Sequence, residues 1–298
     1  MIDLRKIFGR NLRGKLMYAL RWVPDKPYLQ IFFFACNWKF IHFRHPRTFC
    51  DKMNWMKIYD RHPEYSRFAD KLAVREYIKR EFGEQYVFPI YGAWKSFDEI
   101  DFNSLPEKFV LKCNFDSGSV KVVENKNNLS ENRMQELRTF YNRRMKMDFF
   151  YAGREYPYKG IPKFIFAEKY MESSDSTTES FHDYKFMCFG GVPKIMYIET
   201  ERSVGVRMNF FDLDFNPITD IIGDKPAADH EFVKPDCFDE MVTMATKMSQ
   251  GMKFVRIDFR VVDGRVYFGE YTFYDNGGFR GFKPEYWDTK MANWIELD

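Results

Sequence analysis

The segment 254–261 constrains the fold most, because apolar and charged side chains alternate strictly along it. It reads Phe-Val-Arg-Ile-Asp-Phe-Arg-Val, and a second alternating segment follows Asp263-Gly264. A period of two is typical of a β-strand, and Asp-Gly between two such segments predicts a hairpin. One face of the first strand then carries Arg256, Asp258 and Arg260, so these charges need a solvated or liganded partner.

The connection between the two strands decides whether Glu270 joins the face of Asp258. A two-residue turn at Asp263-Gly264 would pair Ile257 with Glu270, which places the two carboxylates on opposite faces. A three-residue connection restores the parity, so a magnesium ion shared by both carboxylates predicts a connection with an odd number of residues. Carboxylates on adjacent strands suit Mg²⁺, and Thr272 would add a hydroxyl group. The alternative is a solvent-facing hairpin with ion-paired Arg and Asp.

Lys112 lies in the apolar segment 108–114, which predicts a strand where an unpaired ammonium would be costly. The loop Asp116-Ser117-Gly118-Ser119 follows, and its small residues free backbone N–H groups to fold over phosphates. No GxxxxGK[ST] motif occurs, so this is not a Walker P-loop. With Lys71, Lys185 and the carboxylate pair, the set is typical of a triphosphate site. An edge-strand lysine before an ordinary turn is the alternative.

The remaining pattern mixes helices and strands without strict βαβ alternation, which predicts an α+β fold. The 298 residues are 45% hydrophobic and 30% charged, values typical of one or two folded domains. Five cysteines without CxxC spacing exclude a disulfide framework and a Cys-based zinc site, and they fit a reducing compartment. Helices are predicted over 67–82, after Ser130, and after Asp236 as N-cap; strands are predicted over 161–170 and 182–188.

The basic residues are concentrated at the N-terminus. Residues 1–50 hold ten Lys or Arg against two Asp, a net charge of +8, whereas the remainder carries −5. Apolar residues interleaved with these cations predict a helix that rests on an anionic membrane, and a solvated face packed on the main domain is the alternative. No recognised motif supports nucleic-acid binding. The apolar run 31–36 is too short to cross a bilayer and no signal peptide precedes it, so we expect a cytoplasmic chain.

Several motifs follow one another in an order that resembles a known family. They are Pro46-Arg47-Thr48-Phe49-Cys50-Asp51-Lys52, Asp70-Lys71, Lys112 with its Ser/Gly loop, Ile165-Phe166-Ala167-Glu168-Lys169-Tyr170, Asp183-Tyr184-Lys185-Phe186, Arg256-x-Asp258, Phe268-Gly269-Glu270-Tyr271-Thr272-Phe273 and Phe282-x-Pro284-x-x-Trp287-Asp288. The series resembles the ATP-grasp superfamily, and more closely its TupA-like branch from bacterial clusters for capsule, teichuronic acid and related surface polysaccharides. The resemblance covers about residues 45–298.

The resemblance implies an ATP-grasp fold, in which two α+β lobes clamp ATP, preceded by a short basic helical segment over 1–45. The ATP-grasp domain would span 46–298, with the ATP lobe at about 70–170 and the metal-binding lobe at about 171–298. It also implies ATP and Mg²⁺. By similarity, Lys71, Lys112 and Lys185 would contact phosphates, Ser117, Gly118 and Ser119 would close over them, and Glu168, Lys169, Tyr170 and Met171 would form the hinge that binds adenine. Asp183 would lie near the ribose, Asp258 and Glu270 would hold magnesium, and Arg256 would steady the transferring group.

The resemblance leaves open the number of magnesium ions and the residues that bind the acceptor. Thr272 stands where many ATP-grasp enzymes have a metal-binding Asn, which puts a second magnesium ion in doubt. The candidates for acceptor binding are Arg202, Arg207 and Tyr274, since an Arg can hold a carboxylate bidentately.

The resemblance implies an ATP-dependent carboxylate–amine ligase that forms an amide through an acyl phosphate, with a uronic-acid-type sugar and an amino acid or amine as substrates. Positioning and charge neutralisation by Mg²⁺, Lys112 and Arg256 would supply most of the catalysis. The alternatives are an ATP-grasp kinase acting on a sugar or small acceptor, an inactive scaffold of a polysaccharide assembly complex and, last, a glycosyltransferase.

Overall fold

The computed structural model of the chain describes residues 19–171, 182–200 and 205–297. Helices and two antiparallel sheets make up this part, so the predicted α+β class is confirmed. The helices are α1 (Asp25–Asn37), α2 (Phe49–Tyr59), α3 (Tyr65–Ala69), α4 (Ala73–Glu81), α5 (Glu131–Met145), α6 (Phe150–Gly153), α7 (Phe238–Met248) and α8 (Glu285–Asn293). The strands are β1 (Ile90–Trp94), β2 (Phe109–Cys113), β3 (Lys121–Val123), β4 (Ile165–Lys169), β5 (Asp183–Phe189), β6 (Val192–Thr200), β7 (Arg207–Phe211), β8 (Pro217–Ile218), β9 (Phe254–Val262) and β10 (Arg265–Thr272).

The described residues form two compact units, each built on one sheet. Unit 1 contains 19–61, 153–155 and the described residues from 182 onward, and its six strands follow the order β10-β9-β5-β6-β7-β8. Unit 2 contains 62–152 and 156–171, and its four strands follow the order β1-β4-β2-β3. The lobe limits expected from the family resemblance stay a prediction.

Two segments with sequence predictions lie outside the described residues. They are the first 18 residues of the basic N-terminal segment and most of the Ser/Thr-rich stretch 171–180; the acceptor candidate Arg202 lies outside them as well. Within the described ranges, no helix combines the length and the apolar character that a bilayer crossing requires.

In unit 2 the sequence predicts one helix over 67–82, and this prediction is wrong near its start. The structure has two helices there, because α3 ends at Ala69 and α4 begins at Ala73. Asp70 between them is extended, and its carboxylate accepts hydrogen bonds from the N–H groups of Leu72 (2.9 Å) and Ala73 (3.3 Å). The Lys71 N–H donates to the Asn114 carbonyl. A side chain that satisfies the first N–H groups of a helix starts it, so Asp70 separates two helices.

In unit 1 the predicted alternation of β9 is confirmed. Val255, Ile257 and Phe259 are fully buried on one face, where α7 contacts the sheet. Arg256 and Asp258 on the other face are also buried. The expected capping of α7 by Asp236 is wrong, because Cys237 occupies the N-cap position without a side-chain hydrogen bond.

The hairpin that carries the two carboxylates has a two-residue turn. Arg265 pairs with Val262, and Asp263 and Gly264 both have positive φ, at 49° and 73°. The predicted odd-numbered connection is therefore wrong. The register instead shifts between Phe268 and Glu270, which leaves Gly269 as the extra residue of a β-bulge. Because the bulge adds one residue to β10, Glu270 lies opposite Asp258 and shares its face.

Gly269 is predicted to be required at the bulge. A methyl group there would lie 2.9 Å from the Asp258 carbonyl oxygen, which cannot move without disturbing the ladder. We expect Gly269→Ala to lower the free energy of unfolding by about 1–3 kcal/mol, measured by urea denaturation followed by circular dichroism. Equal unfolding free energies for the two proteins would contradict this account of the bulge.

Candidate functional site

Five carboxylates and three cations meet beside the charged face of β9 in unit 1. The antiparallel register places Asp258 opposite Lys185 and Arg260 opposite Asp183. These eight residues are called the carboxylate cluster: Asp183, Glu199, Asp258, Glu270 and Asp275, with Lys185, Arg256 and Arg260. Among the described residues of this cluster, carboxylates outnumber cations by two, and this excess favours a further cation.

Arg256 is at the centre of the carboxylate cluster. It binds Asp258 bidentately, with Nε 2.6 Å from Oδ1 and Nη2 2.8 Å from Oδ2. Nη1 donates to Asp275, and Nη2 donates to the Thr272 hydroxyl at 3.0 Å and to Glu270 at 3.4 Å. The predicted catalytic arginine thus holds all three predicted metal ligands in place.

Asp258 is ionised at any physiological pH. Burial raises the pKa of its carboxyl group, but Arg256 and Lys185 outweigh burial and lower the pKa to about 2. Lys185 donates to Asp258 and lies 3.7 Å from Glu199, so it also links two strands of the sheet. The side chain of Glu270 is 39% exposed, against 6% for Asp258, so a ligand from solvent reaches Glu270 first.

These groups fit a magnesium ion. Among the described residues no set of three or more His, Cys, Asp or Glu side chains is arranged to hold a metal. Asp258 and Glu270 with the Thr272 hydroxyl stay the candidate ligands. Magnesium uses one or two carboxylates and completes its shell with water and phosphate oxygens. The bulged register, which puts both carboxylates side by side, matches that requirement.

In unit 2, the partly buried Lys112 pairs with the buried Glu168. Its ammonium forms an ion pair with the Glu168 carboxylate, which also lies 3.5 Å from the Arg75 guanidinium. β2 has neighbours on both sides, so the alternative of an edge-strand lysine is wrong. The sequence places Arg75 on the helix that follows Asp70-Lys71 but predicts no role for it. The spacing from Asp70, which starts α4, to Arg75 on its first turns was the available signal.

Hydrogen bonds within the Ser/Gly loop fix its shape. The Ser119 hydroxyl donates to Asp116 Oδ1 at 2.5 Å and accepts the Cys113 N–H at 2.8 Å, so its bonds are used inside the loop. Ser117 and Gly118 are exposed. Of the three predicted loop residues, Ser117 and Gly118 are therefore the exposed ones, and Ser119 is buried.

Two cations hold this loop from outside. Lys71 donates to the Asp116 carbonyl, and Arg144 from α5 lies 2.9 Å from the Asp116 carboxylate. Arg144 also donates to the Ser117 carbonyl at 2.5 Å. Lys71 and the exposed tip of the loop are thus neighbours, as the triphosphate hypothesis requires.

The predicted hinge begins inside a central strand. Glu168 and Lys169 belong to β4, which lies between β1 and β2, and the Lys169 N–H donates to the Pro89 carbonyl at 2.9 Å. Tyr170 and Met171 follow the strand, and the Tyr170 ring lies 4.2 Å from the Lys108 ammonium. The Lys169 N–H is therefore already hydrogen-bonded, and the backbone groups of Tyr170 and Met171 lie beyond the end of β4.

Two of the acceptor candidates lie in unit 1. Arg207 begins β7 and donates to the Ala227 carbonyl at 3.4 Å. Tyr274 is buried, with the Lys57 ammonium 5.6 Å from its ring centroid, and its contact with an acceptor stays a prediction. A cavity of about 730 Å³ in unit 1 has Asn276, Phe279 and Arg280, which follow β10, in its lining.

Lys57 anchors the loop that follows the metal strand. It is fully buried and donates to the carbonyls of Gly153 (2.9 Å) and Gly277 (2.5 Å). Its ammonium lies 4.3 Å from the Phe279 ring centroid. Burial lowers the pKa of Lys57 to about 8, while the Glu155 carboxylate opposes that shift. The sequence predicts no role for Lys57.

One comparison with known proteins identifies the family. The family model described as TupA-like ATPgrasp matches residues 51–296. No curated protein is matched. A D-alanine–D-alanine ligase from Bacillus anthracis complexed with ATP is 15% identical over 69% of this chain and 54% of that chain, with a TM-score of 0.41. The ATP-grasp ligase PsnB with a minimal precursor, Mg and ADP is 12% identical over 75% of this chain and 57% of that chain, with a TM-score of 0.39. The chain thus spans little more than half of either solved protein.

The ion pairs of the buried Glu168 carboxylate with Lys112 and Arg75 are predicted to stabilise the fold. Glu168→Gln removes the charge that balances Lys112 and Arg75, so we expect a loss of about 3 kcal/mol in the free energy of unfolding. The matched control is Glu76→Gln, which removes an exposed partner of Lys79 and should cost less than about 1 kcal/mol. Urea denaturation measures both. Similar losses in the two variants would contradict the prediction.

Lys57 is predicted to make stability rise with pH. Its folded pKa of about 8 lies below the ordinary value of 10.5, so the unfolded chain binds more protons between these two values. The free energy of unfolding therefore increases with pH across that window. We expect this rise to be smaller in Lys57→Met than in the wild type, and unchanged in the exposed control Lys194→Met, in urea denaturation series from pH 7.5 to 10. Parallel profiles of wild type and Lys57→Met would refute the assignment.

Proposed function

The chain belongs to the TupA-like ATP-grasp family, and from this membership we propose that it is an ATP-dependent carboxylate–amine ligase. A substrate carboxylate would attack the γ-phosphoryl group of ATP, giving an acyl phosphate and ADP. An amine would then displace phosphate and form an amide. The observation that carries the proposal is the bulged register that puts Asp258 and Glu270 side by side within a cluster rich in carboxylates.

In this proposal unit 1 supplies the metal ligands. Asp258, Glu270 and the Thr272 hydroxyl would hold Mg²⁺, which supplies positive charge to neutralise phosphate oxygens. Arg256 now neutralises these same carboxylates, so its guanidinium would redistribute its hydrogen bonds when the metal binds. It would then steady the transferring phosphoryl or acyl-phosphate group through the N–H groups that it releases.

The lysines would act on the phosphates of ATP. Lys112 in unit 2 and Lys185 in unit 1 are each held by a buried carboxylate, so they are desolvated and oriented before any ligand arrives. Such preorganised charges stabilise a transition state without further reorganisation. Lys71 with Ser117, Gly118 and Ser119 would close over the phosphates. Residues 168–171 would bind adenine and Asp183 would lie near the ribose.

The substrates are assigned from family membership alone. A uronic-acid-type sugar would provide the carboxylate and an amino acid or amine the nucleophile, in the biosynthesis of a bacterial surface polysaccharide such as capsule or teichuronic acid. Arg202 and Arg207 stay the candidates for holding a substrate carboxylate. Phosphorylation of a sugar or small acceptor and an inactive scaffold are the competing functions. The proposal places the protein in the cytoplasm, with residues 1–45 at the inner membrane and with no nucleic-acid partner.

The ATP site is tested by calorimetric titration of Mg-ATP. We expect saturable binding by the wild type and at least about tenfold weaker binding by Asp258→Asn and by Lys112→Ala, because each loses a charge-assisted contact. The matched controls Asp236→Asn and Lys194→Ala change exposed residues outside the site and should bind like the wild type. A folded wild type that binds no Mg-ATP would refute the ligase and favour the scaffold.

The chemistry is tested by product analysis with candidate sugar acids. A ligase releases inorganic phosphate only when carboxylate and amine are both present, and hydroxylamine in place of the amine would give a hydroxamate. A kinase leaves the phosphate on its product and gives no hydroxamate. If the protein binds Mg-ATP, leaves the phosphate on its product and forms no hydroxamate, the proposed function becomes that of a kinase.

A further inference from the structure

Helix α1 has one buried face and one exposed face, and the exposed face is apolar. Tyr28, Leu29 and Phe33 are buried in a cluster that includes Ile41 and Phe279. A surface helix of a globular protein normally carries polar residues opposite its buried side. The exposed side of α1 departs from that pattern.

We call the exposed side the aromatic face and define it by Pro27, Ile31, Phe34, Trp38 and Phe40. Ile31, Trp38 and Phe40 are 64%, 60% and 59% exposed. The first four positions are spaced by four, three and four residues, so they follow one side of the helix. The Phe34 ring contacts both Trp38 (centroids 5.4 Å apart) and Phe40 (4.8 Å), so the aromatic face is one continuous patch.

The aromatic face contains no charged residue, but cations lie around it. Lys26 and Lys39 flank it at either end, and Arg44 and Arg47 are exposed shortly after it. The exposed Glu285 carboxylate lies 3.6 Å from the Lys39 ammonium and is the one acid near that end among the ion pairs of the described residues. The nearby Asp25 is committed elsewhere, with its carboxylate 2.6 Å from Arg61 and 3.5 Å from Arg154. The sequence before α1 adds five further Lys or Arg within residues 1–18 against one Asp.

We propose that the aromatic face docks on the surface of an anionic phospholipid membrane, with the rings in the interface and the surrounding cations at the headgroups. Trp and other amphipathic aromatic side chains favour the membrane–water interface, and Lys and Arg are attracted to anionic lipids. α1 has 13 residues, so it lies on the bilayer and does not cross it. This proposal deepens the membrane contact of residues 1–45 given in the proposed function, and it does not depend on the ligase chemistry.

The charge around the aromatic face favours this occupant over a second copy of the chain. A symmetric contact would bring together two copies of residues 19–50, which hold five Lys or Arg against one Asp, and electrostatic repulsion opposes this. An anionic lipid surface has the complementary charge. Burial of the rings in the membrane interface and attraction of the cations to anionic headgroups therefore favour the same partner.

The test is co-sedimentation of the full chain with vesicles of phosphatidylcholine alone or with about 30% phosphatidylglycerol. We expect binding to the anionic vesicles only, weakened by 0.5 M salt because salt screens the charges (Debye length about 3–10 Å at 1–0.1 M). The variants Ile31→Glu and Trp38→Glu should each reduce the bound-to-free ratio roughly tenfold or more. Val233→Glu, at an 86% exposed valine elsewhere in unit 1, adds the same charge and should leave binding unchanged.

Three results would overturn the proposal. The first is a folded wild type that does not bind anionic vesicles. The second is binding that survives both aromatic-face variants but is lost when residues 1–18 are removed, which would assign the contact to that segment. The third is a dimer in sedimentation velocity that Ile31→Glu dissociates, which would assign the aromatic face to a second copy. Thermal unfolding of each variant verifies that its fold is intact.

Discussion

A guanidinium buried among carboxylates imposes the main constraint on unit 1. Arg256 is tolerable there only because Asp258 meets it bidentately and Asp275, Tyr197 and Thr272 satisfy its other N–H groups. Removing one member of such a pair leaves an uncompensated buried charge, which is far more costly than the pair itself. The strands that carry these side chains must therefore be held in one register. The buried apolar face of β9 against α7 supplies that restraint, and the charged face is left for chemistry.

The two carboxylates show which part of this arrangement a sequence can predict. Alternation along 254–261 predicts which side chains share a face, because the period of a strand is a local property. Parity across the hairpin is different, since a turn and a bulge each change it by one residue and a count of positions cannot tell them apart. The structure has both a two-residue turn and a bulge. Gly269 was the signal for the bulge, because only a residue without Cβ fits against the Asp258 carbonyl.

Unit 2 shows a second limit of local patterns. The apolar periodicity of 67–82 is continuous, so it predicts one helix, whereas tertiary contacts at Asp70 divide it. The Asn114 side chain donates to Asp70 and to the Pro162 carbonyl, and these partners are distant in sequence. The same contacts set Lys71 beside the Ser/Gly loop. By contrast, the positions of the Ser/Gly loop, Lys112 and residues 168–171 were predictable from the sequence. Each of them lies within, or at the end of, a short apolar strand.

The N-terminal residues have a larger part in unit 1 than an appended basic segment would have. Asn37 donates to the Phe279 carbonyl (3.0 Å), Asn54 to the Gly278 carbonyl (2.7 Å) and Lys57 to the Gly277 carbonyl (2.5 Å). Residues of α1 and α2 therefore hold the carbonyl groups of the loop that follows Glu270 and Asp275. Of these three bonds, the one from α1 is made by Asn37, so the helix that carries the aromatic face also contacts this loop directly. The proposed membrane contact would therefore involve a helix that helps to hold the loop beside the carboxylate cluster.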